Sequence, residues 1–212
     1  MKQRNVPLSK CDDSWAWAAV SAIETNWAIA TDNEKMEDLS PQQLLDCVQD
    51  QEFEGCFGGN PTQAFDYLMT HVLEQEKDWP FTGKFDKCSN ADGFFTGGVH
   101  LDSYQCVNGD NNSMKNAVAH GAVTASIDTT QSAYRYYSHG VITDSCGTSS
   151  NQSITIVGYG HDESCDCDYW LCTGPMSTSW GMDGLFKIKI SDDEQGVCGI
   201  NWMAAQPILS RN

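Results

Sequence analysis

Ten cysteines among 212 residues are the first feature with chemical consequences. An even number this high reads as disulfides formed in an oxidising compartment. Metal binding would ask instead for paired Cys-x-x-Cys strings, and the closest pair here is Cys165-Asp166-Cys167. Cys165 and Cys167 with Glu163 or Asp168 form the one candidate metal set. The acidic runs Asp162-Glu163 and Asp192-Asp193-Glu194 lack the spaced ligands of an EF-hand loop. No metal or other cofactor is therefore expected. Asn111-Asn112-Ser113 and Asn151-Gln152-Ser153 are acceptor strings for glycosylation and agree with export. The imidazoles available for proton transfer are His71, His100, His120, His139 and His161, read as surface or hydrogen-bonded groups.

The elements that must position these residues fall into two halves. Residues 14 to 30 (SWAWAAVSAIETNWAIA) are apolar nearly all round, which marks a buried central helix. Asp12, Asp13 and Ser14 supply capping oxygens at its start. A second helix opens at Ser40-Pro41, with serine as cap and proline at the first helical position, and runs to Asp46 or Cys47. A third follows Asn60-Pro61. Beyond about residue 95 strand-like runs take over: Ala122–Ile127, Ile154–Val157, Tyr169–Cys172 and Leu185–Ile190, with a short helix at Ser113–Ala119. Helices first and strands second indicate α+β, or two lobes side by side.

Composition narrows the function classes. The chain carries 29 acidic against 12 basic residues, a formal charge of −17. Nucleic acid is excluded as a partner, because neutralising phosphates needs clustered Lys and Arg. Anionic membranes are disfavoured by the same sign, and no apolar run is long enough to span a bilayer. The first residues lack the apolar stretch of a signal peptide, which processing could already have removed.

Several strings resemble the papain and cathepsin family of cysteine proteases. Cys11-Asp12-Asp13-Ser14-Trp15-Ala16 stands where that family has Cys-Gly-Ser-Cys-Trp-Ala. Leu39 to Cys47 (LSPQQLLDC) looks like its Leu-Ser-Glu-Gln-Glu-Leu-Leu-Asp-Cys, and Gly55-Cys56-Phe57-Gly58-Gly59 like its Gly-Cys-Asn-Gly-Gly. Val157-Gly158-Tyr159-Gly160, Trp180-Gly181-Met182-Asp183-Gly184 and Gly196-Val197-Cys198-Gly199-Ile200 follow in family order. The resemblance implies a papain-like two-lobe fold. A helical lobe would cover 1–95 and an antiparallel, barrel-like β lobe 96–212, with the C-terminal tail crossing back to the first lobe. It also implies disulfides Cys11–Cys56, Cys47–Cys88 and Cys146–Cys198. Cys106, Cys165, Cys167 and Cys172 are left to form two further bridges of unassigned pairing.

In the family a cysteine at the head of the central helix pairs with a histidine on a strand of the other lobe. An asparagine orients that ring, and an upstream glutamine completes the oxyanion site. The matching positions here are Ser14, Gln152, Gly174 and, aligned without a gap, Leu8. A serine hydroxyl needs a base to attack, and an amide does not take up a proton as imidazole does. The resemblance thus implies a catalytically inactive homologue. Its expected role is that of an extracellular structural, scaffold or binding protein, self-assembling or protein-bound, in a secretory or lysosome-like compartment. Silicateins, sponge relatives of cathepsins, also carry serine at this place but keep the histidine and asparagine, so filament assembly is an alternative, as is a Ser14-dependent hydrolase. Gly58 and Gly59, with Trp15 and Trp180, are the expected substrate-cleft residues, through which the protein would bind or inhibit as a peptide-holding module. A glycan on Asn151, beside Gln152, would close that cleft.

Overall fold

The computed structural model describes residues 4, 6–7, 10–32, 38–48, 55–88, 98–143 and 146–210. The expected boundary near residue 95, and Leu8, lie outside the described residues.

Helix α1 (Ser14–Ala30) is buried along most of its length, as an apolar surface all round requires. Near its far end the buried Asn26 side chain donates to the carbonyls of Ala122 and Pro207 and accepts from the Ala122 amide. Helix α2 (Pro41–Cys47) starts as its sequence dictates, with the Ser40 hydroxyl accepting from the Gln43 amide. Helix α3 (Pro61–Leu68) opens with a capping box in which Asn60 and Gln63 satisfy each other's free amides. The start of α1 departs from expectation. Asp13 is its N-cap but makes no side-chain capping bond.

The second half contributes β1 (Ser103–Cys106), α4 (Asn111–His120), β2 (Val123–Ile127), the single turn α5 (Ser132–Arg135), β3 (Val141–Ile142), β4 (Gln152–Asp162), β5 (Cys167–Thr173), β6 (Leu185–Lys189) and β7 (Trp202–Ile208). These strands form one sheet in the order β1-β7-β2-β4-β5-β6-β3. Every pairing is antiparallel except β3 with β6. The sheet runs open from β1 to β3. Strand β4 extends well past the expected Ile154–Val157, bending at a register shift between Ile156 and Gly158.

Two apolar cores result. One gathers Trp15, Val20, Ile23, Leu44, Phe65 and Leu68 around α1; the other gathers Val123, Ile127, Ile154, Trp170 and Phe186 on the sheet. Ala205 of β7 belongs to the helical core, and Tyr104 and Leu209 pack against it. Helix α1 lies against β4, where the Thr155 hydroxyl donates to the Ala18 carbonyl at 3.1 Å.

Cys11–Cys56, Cys47–Cys88 and Cys146–Cys198 are bonded, as the resemblance implies. The remaining four cysteines do not make two bridges. Cys165 bonds Cys167 across the β4–β5 turn, while Cys106 is exposed and Cys172 buried, both as free thiols. They stand on different strands, Cys106 on the sheet-edge strand β1 and Cys172 inside β5. Bonding of Cys165 to Cys167 also removes the thiols from the candidate metal set, and the His161 ring nitrogens lie beside it, 3.5 Å from an Asp166 and 3.0 Å from an Asp168 carboxylate oxygen. Among the described residues no group of three metal-ligating side chains converges. No described helix is long and apolar enough to cross a membrane.

Candidate functional site

Ser14 is the first residue of α1 and only 8% exposed. Its hydroxyl is not spent on capping its own helix. It accepts from the backbone amide of Ser153, 3.1 Å away on β4. This bond joins the helix to the sheet, and it places Ser14 beside Gln152, which starts β4 opposite Ile127. The two positions matched to the family's nucleophile and histidine are thus brought together. The third also falls into place: a side-chain carbon on Gly174 would lie 3.5 Å from the Gln152 side-chain nitrogen. With no side chain at Gly174, Gln152 donates to the hydroxyl of Tyr134 at 2.7 Å. Tyr134 is buried, its ring against Trp180 and Phe186, and burial pushes its phenol above the ordinary range, so the hydroxyl keeps its proton.

The left wall of the site is fastened to the head of α1. Cys11 is bonded to Cys56, the Asp12 amide donates to the Cys56 carbonyl at 3.1 Å, and Asp12 bridges to Phe57. Gly59 packs on the Trp15 ring, where a side-chain carbon would come within 2.7 Å of it. Glycine at 59 is therefore required by packing, whatever its part in ligand binding. Gly58 has φ of 103°, a conformation other residues adopt only under strain.

The right wall is Ser126, Ser150, Asn151 and Ser153. The Asp128 carboxylate holds the loop behind it, accepting from the Thr130 hydroxyl and amide and from the Ser149 amide. These bonds, the Thr130 hydroxyl first, keep its carboxyl below the usual range. Between the walls lies a cleft of about 510 Å³ that reaches Ser14 at its floor and Met203 at one end. The Met203 sulfur is 3.6 Å from the Asn60 side-chain nitrogen of the opposite wall.

Of the residues expected in the cleft, Gly58 and Gly59 line it and the two tryptophans do not. Trp15 is buried beneath Gly59, and Trp180 packs on Tyr134, Tyr137 and Phe186. Trp15 supports its wall from behind with its apolar area covered, while Trp180 is partly buried against the sheet core. Asn151 lines the cleft and its side-chain oxygen accepts from Thr129. Asn111 lies elsewhere, at the start of α4 beside a larger hollow of about 780 Å³; the nitrogen that would carry a glycan donates to the Ser191 carbonyl. Sequence reasoning passed over Asp12, Phe57 and Met203, all of which line the cleft. None of the five histidines does.

A helical and a sheet-rich lobe meet at a cleft, with a hydroxyl at the head of a buried helix facing a strand start, in a two-lobed α+β architecture. The chain belongs to the papain family: residues 4–208 match the model of the papain family cysteine protease. The KDEL-tailed cysteine endopeptidase CEP2 of Arabidopsis thaliana is 36% identical over 204 residues, covering 94% of this chain and 54% of the relative. The probable cysteine protease RDL2 of the same plant is 34% identical, covering 94% and 55%. The chain thus spans about half the length of these curated relatives. The crystal structure of the ragweed pollen cysteine protease Amb a 11 in its proform superposes with a TM-score of 0.87 at 32% identity, over 98% of this chain and 62% of that one.

These matches correct the expectation of a catalytically inactive scaffold. Relatives named proteases and an endopeptidase align along nearly the whole chain, which points to an enzyme and lends nothing to a structural or filament role. Four disulfides belong to an oxidising compartment of secretory or lysosome-like kind.

Proposed function

We propose that this chain acts on polypeptides, taking an extended segment in the cleft between the lobes with a backbone carbonyl over Ser14, and hydrolysing it there. The observation that carries this reading is the position of the Ser14 hydroxyl, at the floor of the cleft and joined to the first residues of β4. The head of α1 is a favourable place for developing negative charge, because the helix's free amides point that way. Serine in place of a thiol, and Gln152 in place of an imidazole, leave the attacking oxygen without a side-chain base, so that water takes the Ser14 proton and protonates the leaving amine. Turnover is therefore slow, and affinity for peptide is the property more readily measured. We also propose that the protein works outside the cell, and that Asn151 carries no glycan when the cleft is occupied.

The test is binding of fluorescein-labelled extended hexapeptides, read by anisotropy, to the parent and to Ser150→Trp, which fills the cleft from an exposed position on its right wall. Saturable binding lost in the variant supports the reading. Binding that Ser150→Trp leaves unchanged places the ligand elsewhere and contradicts it.

A further inference from the structure

Among the residues lining the cleft, Asp12 alone carries a charge; its neighbours there are glycines, serines, amides, Thr62, Phe57 and Met203. The Asp12 backbone is held on both sides, by the Cys11–Cys56 disulfide and by the bond from its amide to the Cys56 carbonyl. The backbone that carries its carboxylate is therefore fixed beside the cleft. The side chain makes no hydrogen bond or ion pair with a described residue. Beside it, bridged backbone to backbone, stands Phe57, whose ring is 81% exposed although it is large and apolar. An unpaired carboxylate next to an uncovered aromatic face matches the two parts of a long cationic side chain, a charged head and an apolar stem.

We propose that Asp12 and Phe57 form a subsite for a lysine or arginine side chain of the polypeptide bound in the cleft. This rests on the reading of the cleft as a polypeptide site and names what that site prefers. Asp12 is exposed, so a cation can reach its carboxylate from solvent, and partial desolvation raises that carboxyl above its ordinary value. The net charge of −17 attracts cationic peptides to the whole surface, a non-specific effect that the test must separate from the subsite.

The experiment uses labelled hexapeptides in which lysine, norleucine or glutamate is moved through each of the six positions. Anisotropy is measured with the parent, Asp12→Asn, Asp12→Glu and Phe57→Ala. At one position lysine should bind about tenfold tighter than norleucine, the size expected of one charge-assisted contact, and glutamate most weakly. Asp12→Asn should bring the lysine-to-norleucine ratio at that position close to one without weakening the norleucine peptide, and Asp12→Glu should keep most of it. Phe57→Ala should weaken lysine and norleucine together. Peptides that bind with no positional preference for lysine, or a preference that survives Asp12→Asn, overturn the subsite while leaving the polypeptide cleft standing. Failure of every peptide to bind overturns both.

Discussion

Ser14, Gln152 and Gly174 meet at one point, and their chemistry follows from three side chains. A hydroxyl accepts from Ser153, an amide donates to Tyr134, and an absent side chain leaves the amide unoriented by anything at 174. Gly174 meets no backbone barrier to a side chain, its φ lying outside the glycine-favouring region, but an added carbon would come 3.3 Å from the Tyr134 hydroxyl, which must shift by a few tenths of an ångström to admit it. Restoring the thiol, the imidazole and its orienting amide as Ser14→Cys/Gln152→His/Gly174→Asn should therefore raise peptide hydrolysis by at least ~10³-fold, given that removing such a unit costs on the order of 10⁶. Stopped assays with a peptide coumarin substrate check this, and a folded triple variant no faster than the parent would refute the placement of the site. The degenerate trio was legible in the sequence only through the family resemblance, because 14, 152 and 174 lie far apart in the chain. Asp12 was not legible at all. Beside it in sequence stands Asp13, which is buried, and nothing in the string Asp12-Asp13 says which carboxylate faces the cleft.

The helices were readable because their starts are written locally. Ser40-Pro41 and Asn60-Pro61 each give a cap and a proline at the first helical position, and α2 and α3 begin there. Strands β1 and β7 escaped. Four mostly polar residues (SYQC) carry little pattern, and Pro207 argues against a strand that neighbours nonetheless hold on both sides. Helix α1 hides a titrating group that its apolar reading did not suggest. Glu24 accepts from Arg4 at 3.0 Å and from the Leu39 amide at 2.8 Å, while Arg4 also reaches Glu76 and lies over the Trp17 ring. Burial is the stronger influence and raises the Glu24 carboxyl from 4.5 to about 7, against the pull of Arg4 and the amide. The folded state thus holds a proton that the unfolded chain releases above 4.5. Stability from this group is full below about pH 4.5, declines as pH rises, and levels off above about 7. The decline amounts to ~3 kcal/mol at most. Urea titrations between pH 4.5 and 7.5 should show this slope in the parent and a smaller one in Glu24→Gln; equal slopes would remove Glu24 as its source.

Across the molecule, α1 couples the two cores to the cleft. Its head carries Ser14 and the Cys11–Cys56 fastening, its middle meets β4 through Thr155, and Asn26 near its far end binds the backbone around Ala122 and Pro207. Both walls are therefore referred to one rigid element, as a site needs if a peptide carbonyl is to be held over one oxygen. The most direct measurement is cleavage of a mixed peptide library over days, read by mass spectrometry, for the parent and Ser14→Ala prepared side by side. The parent should make cuts that disappear in Ser14→Ala. Identical cleavage by the two proteins, or none by the parent, would contradict hydrolysis at Ser14.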